Sequence, residues 1–173
     1  QCKGERMKNK LYVAYGSNLN LPQMLVRCPT AKVVGASEIK DYALVFRGGR
    51  YGAVATIEPK EGASVPVLLW KITPKDENAL DIYEGFPRLY KKETMKLEVD
   101  DKNVSAMVYV MTPGHSPGIP TASYYNTICE GYKTAGFDTK ILENAVEYSE
   151  ELMDIEYESE QENPFEIDRM KGW

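Results

Sequence analysis

Short runs of apolar, β-branched and aromatic residues, separated by segments rich in glycine, proline or charge, make up the chain as far as residue 111. This pattern is typical of strands bounded by turns. The predicted strands are residues 11–15, 30–38, 42–46, 53–57, 65–72, 90–99 and 104–111. Residues 65–72 are apolar at nearly every position, which predicts a strand near the centre of a sheet.

Helix signals interrupt this pattern twice and then dominate the end of the chain. Asn20 is a typical N-cap and predicts a short helix that ends before Pro29, and Thr73 predicts a second helix that Gly85 ends. Two further helices are predicted at residues 123–135 and 138–148. Strands followed by helices predict an α+β fold, with a small mixed β-barrel or strongly curled sheet and flanking helices.

Composition and charge narrow the domain organisation and the function classes. The 173 residues are 43% hydrophobic and carry a formal net charge of −5, with the acidic residues concentrated after residue 147. We expect a single domain over residues 8–150 and an acidic C-terminal extension over 151–173. The sequence lacks the basic stripe that is typical of nucleic-acid-binding proteins, so we expect no nucleic-acid partner. No apolar run approaches the ~20 residues of a membrane-spanning helix, so we expect no membrane partner.

The cysteines and the single histidine exclude several kinds of chemistry. Cys2, Cys28 and Cys129 are widely spaced, and no Cys/His cluster has zinc-ligand spacing, so we expect no metal. An odd and scattered set of cysteines also argues against a disulfide framework and favours a reducing cytoplasm. A hydrolase that pairs Cys28 or Cys129 with His115 is an alternative that thiol alkylation would test.

The segment Tyr15-Gly16-Ser17-Asn18-Leu19 follows the first strand and precedes the first helix. A strand that ends on such a turn leaves several N–H groups unpaired, and these bind carboxylates, phosphates or developing oxyanions. The plain alternative is a tight turn closed by the Asn18 side chain. The segment lacks the spacing of a Walker loop or a nucleophile elbow, so Ser17 is a poor candidate for a nucleophile.

Glu84 falls at the C-terminal end of the second predicted helix. The helix dipole disfavours a carboxylate there, and Ile82, Phe86 and Leu89 could shield it from water, so both effects would raise its pKa. On this interpretation Glu84 is a general base or acid, and on the plain one it is an exposed helix-end carboxylate. Asp81 is a competing carboxylate on the same helix.

Two further sets of side chains are candidates for the walls and charges of a pocket. Tyrosine suits a polar-lined pocket as well as a core, and arginine binds a carboxylate through two hydrogen bonds. The tyrosines are Tyr12, Tyr15, Tyr90, Tyr124 and Tyr125, and the arginines are Arg47, Arg50 and Arg88.

Taken together, these residues resemble the gamma-glutamylcyclotransferase family. The resemblance covers about residues 10–148 and rests on the Tyr-Gly-Ser-Asn-Leu turn combined with a later Asp-x-x-Glu-Gly. The matching positions are Tyr12-x-Ala14-Tyr15-Gly16-Ser17-Asn18-Leu19, Leu80-Asp81-x-x-Glu84-Gly85, Tyr90, Tyr109-x-Met111-Thr112 and Tyr124-x-x-x-Ile128-Cys129-x-Gly131.

The resemblance implies an enzyme that releases 5-oxoproline from a γ-glutamyl amino acid or amine, without metal or cofactor. It implies Glu84 as the catalytic residue and a small-molecule γ-glutamyl substrate as the partner. Independently of the resemblance, a homodimer is a candidate assembly. The implied substrate-binding residues are Tyr12, Ala14, Tyr15, Gly16, Ser17, Asn18, Leu19, Tyr90 and Tyr124. The leaving amine stays open, and so does the alternative of a non-catalytic binding or interaction module of the same fold.

Overall fold

The computed structural model describes residues 8–162 of the chain. Within that range five strands and four α-helices follow one another, and a turn of 3-10 helix follows the first strand. They are β1 (Lys10–Ala14), the 3-10 turn (Ser17–Leu19), α1 (Leu21–Arg27), β2 (Lys32–Arg47), β3 (Val54–Ile72), α2 (Pro74–Glu84), β4 (Tyr90–Val99), β5 (Lys102–Met111), α3 (Ala122–Ala135) and α4 (Thr139–Glu162). None of the helices in residues 8–162 combines the length and apolar character that a bilayer crossing requires.

The strands form one mixed sheet in the order β2-β3-β1-β5-β4. Neighbouring strands are antiparallel except for β1 and β5, which pair in parallel at Tyr12 with Met107 and Val13 with Val108. The second half of β3 pairs with β2 on one side and β1 on the other, as predicted for a central strand. The predicted α+β class is therefore confirmed.

The sheet is strongly curled but does not close into a barrel. The edge strands β2 and β4 approach each other at one end, where the Ser37 hydroxyl donates to the Glu98 carbonyl at 2.6 Å. Within the described residues, no ladder of backbone hydrogen bonds joins these two edges. The structure thus has the curled sheet of the prediction and not the closed barrel, because closure requires the edge strands to pair along their length.

In the structure, two pairs of predicted strands each form one continuous strand. Residues 30–38 and 42–46 fall largely in β2, and residues 53–57 and 65–72 fall largely in β3. The apolar pattern breaks where Asp41 and Gly62 adopt left-handed φ angles of 61° and 81°, and the register of the pair shifts at the same place. Such a bulge bends a hairpin without ending it. The part of β3 that precedes the bulge places Ala55 against Gly16.

The helices follow the predicted capping signals. The Thr73 side chain accepts a hydrogen bond from the Asp76 N–H, the Asp76 side chain accepts one from the Thr73 N–H, and Gly85 ends α2 with a φ of 63°. Helix α4 is longer than predicted and continues to Glu162, so residue 150, the expected domain boundary, lies inside it. The remainder of the predicted extension, residues 163–173, lies outside the described residues.

Candidate active site

A cavity of about 270 Å³ lies where β1 ends. β1 stops at Ala14, whereas its parallel neighbour β5 continues to Met111, so the sheet has no central strand beyond that point. This volume is near the lower end of the range for small-molecule sites. The walls are formed by Tyr12, Val13, Tyr15, Gly16, Ser17, Asn18, Val54, Ala55, Tyr83, Glu84, Leu89, Tyr90, Tyr109 and Tyr124.

The turn that was predicted to hold an anion forms one wall of the cavity. The Leu19 and Asn20 N–H groups bond the carbonyls of Gly16 and Ser17 at 3.0 Å each, which closes one turn of 3-10 helix. The N–H groups at the start of such a turn have no acceptor within it. Gly16, Ser17 and Asn18 line the cavity, so the backbone at the start of this turn lies at its wall.

Helix α3 fixes this turn from its outer side. A Cβ atom at Gly131 would lie 2.7 Å from the backbone carbonyl carbon of Leu19, so the approach of the helix requires glycine. The Asn20 side chain donates to the Thr127 carbonyl at 3.1 Å and to the Glu130 carboxylate at 3.0 Å. The position of the free N–H groups is thus set by α3.

Glu84 lines the cavity from the last residue of α2. Burial raises its pKa from 4.5 to about 7, and the nearby Arg27 guanidinium acts in the opposite direction. Burial, one of the two effects expected from the sequence, is therefore the main cause of the raised pKa. A carboxyl group with a pKa near neutrality both accepts and donates a proton readily, as a general base and acid must.

A chain of hydrogen bonds connects Glu84 to the turn. The buried Asn18 side chain donates through Nδ2 to the Tyr12 hydroxyl at 2.8 Å and reaches Oε1 of Glu84 at 3.5 Å. Its Oδ1 accepts from the guanidinium of Arg27, which lies 3.4 Å from the centre of the Tyr83 ring. Because 3.5 Å is long for a hydrogen bond, the Glu84 carboxylate keeps acceptor capacity for a ligand.

Tyrosine hydroxyls on the cavity wall are bonded to the protein backbone. Tyr124 accepts from the Ala55 N–H at 3.0 Å, Tyr90 donates to the Ala55 carbonyl at 2.5 Å, and Tyr15 donates to the Tyr109 carbonyl at 2.6 Å. Burial raises the pKa of the three phenols that make these bonds, so they are neutral at physiological pH. These hydrogen bonds therefore hold the three tyrosine side chains of the cavity wall in one arrangement.

Ion pairs support the Tyr109 side of the cavity from outside. The Tyr109 hydroxyl donates to Asp81 at 2.5 Å, and Lys92 pairs with the same carboxylate at 2.9 Å. Lys92 also pairs with Glu77 at 3.2 Å, which in turn binds Lys10 at 2.8 Å. Asp81, the carboxylate that competed with Glu84 in the sequence, is thus paired and does not line the cavity.

Some predicted site residues lie away from the cavity wall. Ala14 and Leu19 are fully buried in the core behind it. Arg47 is paired with Glu58 at 2.8 Å. The candidates outside the wall are Ala14, Leu19, Tyr125, Arg47, Arg50 and Arg88, whereas the wall includes Glu84, Tyr12, Tyr15, Gly16, Ser17, Asn18, Tyr90 and Tyr124.

The thiol alternative finds no support in the described residues. Burial raises the pKa of Cys28 to about 11, so this thiol is protonated and unreactive at neutral pH. His115 bonds the Thr112 hydroxyl at 3.1 Å, and neither Cys28 nor Cys129 is among its partners; Cys2 lies outside the described range. Residues 8–162 contain no group of three or more potential metal ligands.

Arg27, Tyr83 and Tyr109 were missed as site residues by sequence reasoning. Tyr83 adjoins Glu84, and Tyr109 belongs to the family pattern, so both carried a signal. Arg27 carried none, because its position depends on the ends of α1 and α2 meeting in the folded chain.

The fold and the cavity have the features of a site for a small molecule. Polar groups converge on a small cavity, and one carboxyl group in it has a strongly raised pKa, as is typical of enzyme sites. The chain belongs to the gamma-glutamyl cyclotransferase, AIG2-like family, whose sequence model matches residues 12–126. The predicted resemblance is therefore confirmed.

Individual relatives agree with this membership. The chain is 30% identical to the gamma-glutamylcyclotransferase of Homo sapiens over 167 residues, which cover 90% of this chain and 85% of the human protein. It is 28% identical to the gamma-glutamylcyclotransferase of Mus musculus, over 88% of this chain and 82% of the mouse protein. A solved structure of a gamma-glutamyl cyclotransferase matches with a TM-score of 0.68 and 29% identity, covering 84% of this chain and 87% of that one.

Proposed function

We propose that this chain is a cyclotransferase that releases 5-oxoproline from a γ-glutamyl amino acid or a γ-glutamyl amine. The observation that carries the proposal is Glu84, whose carboxyl group has a pKa of about 7 in the wall of a small cavity. The turn formed by Gly16, Ser17 and Asn18 lines the same cavity. The activity is also the one in the names of the human and mouse relatives.

The proposed reaction needs no nucleophile from the protein. The α-amine nitrogen of the substrate attacks the γ-carbonyl carbon of the same molecule, and the new C–N bond closes a five-membered lactam. The bond from that carbon to the leaving nitrogen then breaks. Because both reacting groups belong to one molecule, the cavity has only to hold the folded conformer of the substrate.

Glu84 moves the protons in this proposal. An α-ammonium group has no free electron pair, so the ionised carboxylate first accepts a proton from it and later donates that proton to the leaving nitrogen. A second proton passes from the ring nitrogen to the leaving amine by the same route. The products are therefore a neutral lactam and an ammonium ion, and the carboxylate returns to its ionised form.

The turn stabilises negative charge. Attack converts the γ-carbonyl oxygen into an oxyanion, and a well-placed N–H donor contributes about 3 kcal/mol to such an intermediate. The alternative use of the same N–H groups is to bind the α-carboxylate of the substrate. Both uses rely on the backbone of Gly16 to Asn18, so the Ser17 hydroxyl, which bonds the Tyr83 hydroxyl at 2.7 Å, is not required.

The test is release of 5-oxoproline by Glu84→Gln and by the unmodified protein, from γ-glutamyl dipeptides, γ-glutamyl amines and γ-glutamyl-lysine. We expect kcat to fall at least ~100-fold while the circular dichroism spectrum is unchanged. Glu150→Gln is the matched control, because it removes an exposed carboxylate on α4 and should retain full activity. Full activity of Glu84→Gln would contradict the proposal.

The same substrate panel tests the alternative of a binding module. If the unmodified protein binds γ-glutamyl compounds but releases no 5-oxoproline from any of them, the non-catalytic module is favoured. If it turns some of them over, the preferred member identifies the leaving amine.

From the sequence alone we propose a cytoplasmic location, a homodimeric assembly and the absence of a nucleic-acid partner. The formal net charge of −5 supports the last of these, because a nucleic-acid surface is ordinarily basic. Cell fractionation, analytical ultracentrifugation and a DNA- and RNA-binding assay test the three in turn.

A further inference from the structure

We propose that Arg27 is a positioning residue that determines which end of the Asn18 side-chain amide faces Glu84. The inference deepens the proposed function, because it concerns how the carboxyl group assigned as general base is kept in its ionised form. It rests first on the contacts of Arg27 and Asn18.

Arg27 is held by the protein on several sides. Its guanidinium donates to Oδ1 of Asn18, and its NH2 nitrogen lies 3.4 Å from Oε1 of Gln23. Its planar face stacks on the Tyr83 ring, with 3.4 Å between the guanidinium carbon and the ring centre. The guanidinium combines a planar stacking face with donors at fixed angles, so these contacts place one N–H group on Asn18.

The Arg27 contact decides the orientation of the Asn18 amide. Since Oδ1 accepts from the guanidinium, the NH₂ end of the amide must point the other way, toward the Tyr12 hydroxyl at 2.8 Å and Oε1 of Glu84 at 3.5 Å. Asn18 is 2% exposed, so water does not compete for either end. A flipped amide would place its oxygen beside the carboxylate and leave the guanidinium without its acceptor.

The orientation of the amide matters because it favours one protonation state of Glu84. An N–H donor beside a carboxyl group stabilises the ionised form, whereas an oxygen acceptor stabilises the protonated form. The positive charge of Arg27 acts in the same direction as the correctly oriented amide, against the burial that raises the pKa. Arg27 thus acts on the general base both directly and through Asn18.

The other titratable groups around Glu84 are phenols. Burial raises the pKa of five of them above the ordinary value, so none of these carries a charge near neutral pH. Among the residues of 8–162 that line the cavity, Glu84 is the one carboxylate, and no lysine or arginine is present. The phenols on the cavity wall belong to Tyr12, Tyr15, Tyr83, Tyr90, Tyr109 and Tyr124.

The test is a direct titration of the Glu84 carboxyl group by ¹³C NMR, assigned by comparison with Glu84→Gln, in the unmodified protein and in Arg27→Gln. We expect the pKa of Glu84 to rise by about 0.5–1 pH unit in Arg27→Gln. The low-pH limb of the kcat profile should move by the same amount, while KM changes little. Arg50→Gln is the matched control, because Arg50 also lies over a tyrosine ring, but that ring belongs to Tyr51, which is not part of the cavity wall.

A double-mutant cycle separates the effect of the Arg27 charge from the effect that acts through Asn18. In an Asn18→Ala background, the further change Arg27→Gln should move the pKa of Glu84 by less than half as much as it does in the unmodified protein. An equal movement in both backgrounds would show that Arg27 acts by charge alone, and an unchanged pKa in Arg27→Gln would show that it does not act on Glu84. Either outcome overturns the proposal.

A second measurement does not depend on the folding of an Asn18 variant. The side-chain NH₂ protons of Asn18 should give a sharp pair of ¹⁵N-correlated signals that exchange slowly with water in the unmodified protein. In Arg27→Gln they should broaden or exchange at least about tenfold faster as the amide reorients. Signals that are identical in both proteins would also overturn the proposal. Neither NMR measurement requires turnover. The proposed role of Arg27 can therefore be tested even if the protein proves not to be a cyclotransferase.

Discussion

Replacement of Glu84 by glutamine should make the folded protein more stable above neutral pH. The pKa of Glu84 is about 7 in the folded protein, against an ordinary value of 4.5 that we take for the unfolded chain. Between these two pH values the folded protein holds a proton that the unfolded chain has released, so stability falls as the pH rises from 4.5 to 7. Glutamine carries no such proton and removes this loss.

The size of the effect follows from the two pKa values. Their difference corresponds to about 3 kcal/mol, since each pH unit is worth about 1.4 kcal/mol. This is an upper bound, because Glu84 is only partly buried by solvent accessibility and the glutamine amide needs hydrogen-bond partners of its own. We expect a gain of about 1–2 kcal/mol in the free energy of unfolding above pH 7.5, equivalent to roughly 2–6 °C in melting temperature.

Urea unfolding at pH 5 and at pH 8 measures this effect, and Glu150→Gln serves again as the control. The gain should appear at pH 8 and be largely absent at pH 5, where Glu84 is protonated in the folded protein. The control removes a carboxylate that is exposed on α4 and should show no such difference between the two pH values. A change in stability that is the same at pH 5 and pH 8 would refute the reasoning, because it would mean that folding does not penalise the charged form of Glu84.

Three further substitutions test the surroundings of Glu84. Ser17→Ala should lower kcat less than ~10-fold, because it removes a hydroxyl and leaves the backbone donors of the turn in place; a loss of 5-oxoproline release as large as that of Glu84→Gln would contradict this account. Gly131→Ala should destabilise the protein by about 1–3 kcal/mol, measured by urea unfolding, because the added Cβ meets the backbone of the turn at 2.7 Å; a variant of unchanged stability would show that α3 can move away freely. Tyr124→Phe should cost about 1–3 kcal/mol in the same measurement because it leaves a buried backbone N–H without its acceptor, whereas Tyr125→Phe, one residue along the same helix, should be close to neutral.

The parts of the site that were predicted from the sequence are those with local causes. Asn20 caps α1, and Thr73 caps α2 through its own side chain, so the positions of the turn and of Glu84 along the chain follow from short-range hydrogen bonds. Gly85 ends α2 directly after Glu84, so the carboxylate lies at a helix end regardless of how the helix packs against the rest of the protein. Signals of this kind are visible in a single sequence because they involve neighbouring residues.

The parts that were not predicted depend on contacts between distant elements. Arg27 reaches Asn18 and Tyr83 because two helix ends meet, and no periodicity reports such a meeting. Asp41 and Gly62 looked like strand ends, yet the long hairpin continues through them as a bulge because its two halves remain paired. The sequence left a small barrel and a curled sheet as alternatives, because closure depends on the distance between two sheet edges, which is a property of the whole fold.

The hydrogen bonds that Tyr90 and Tyr124 make with the two polar groups of Ala55 limit how the family's substrate preference can change in this chain. Each of these tyrosines completes the backbone pairing of β3 as well as shaping the cavity, so enlarging the pocket at either position would also weaken the sheet. Val54 and Leu89 line the same cavity through aliphatic side chains that offer no hydrogen bond. If the proposed function holds, a change in the accepted leaving amine should therefore begin at these two aliphatic positions, where the shape of the site can change while the fold is retained.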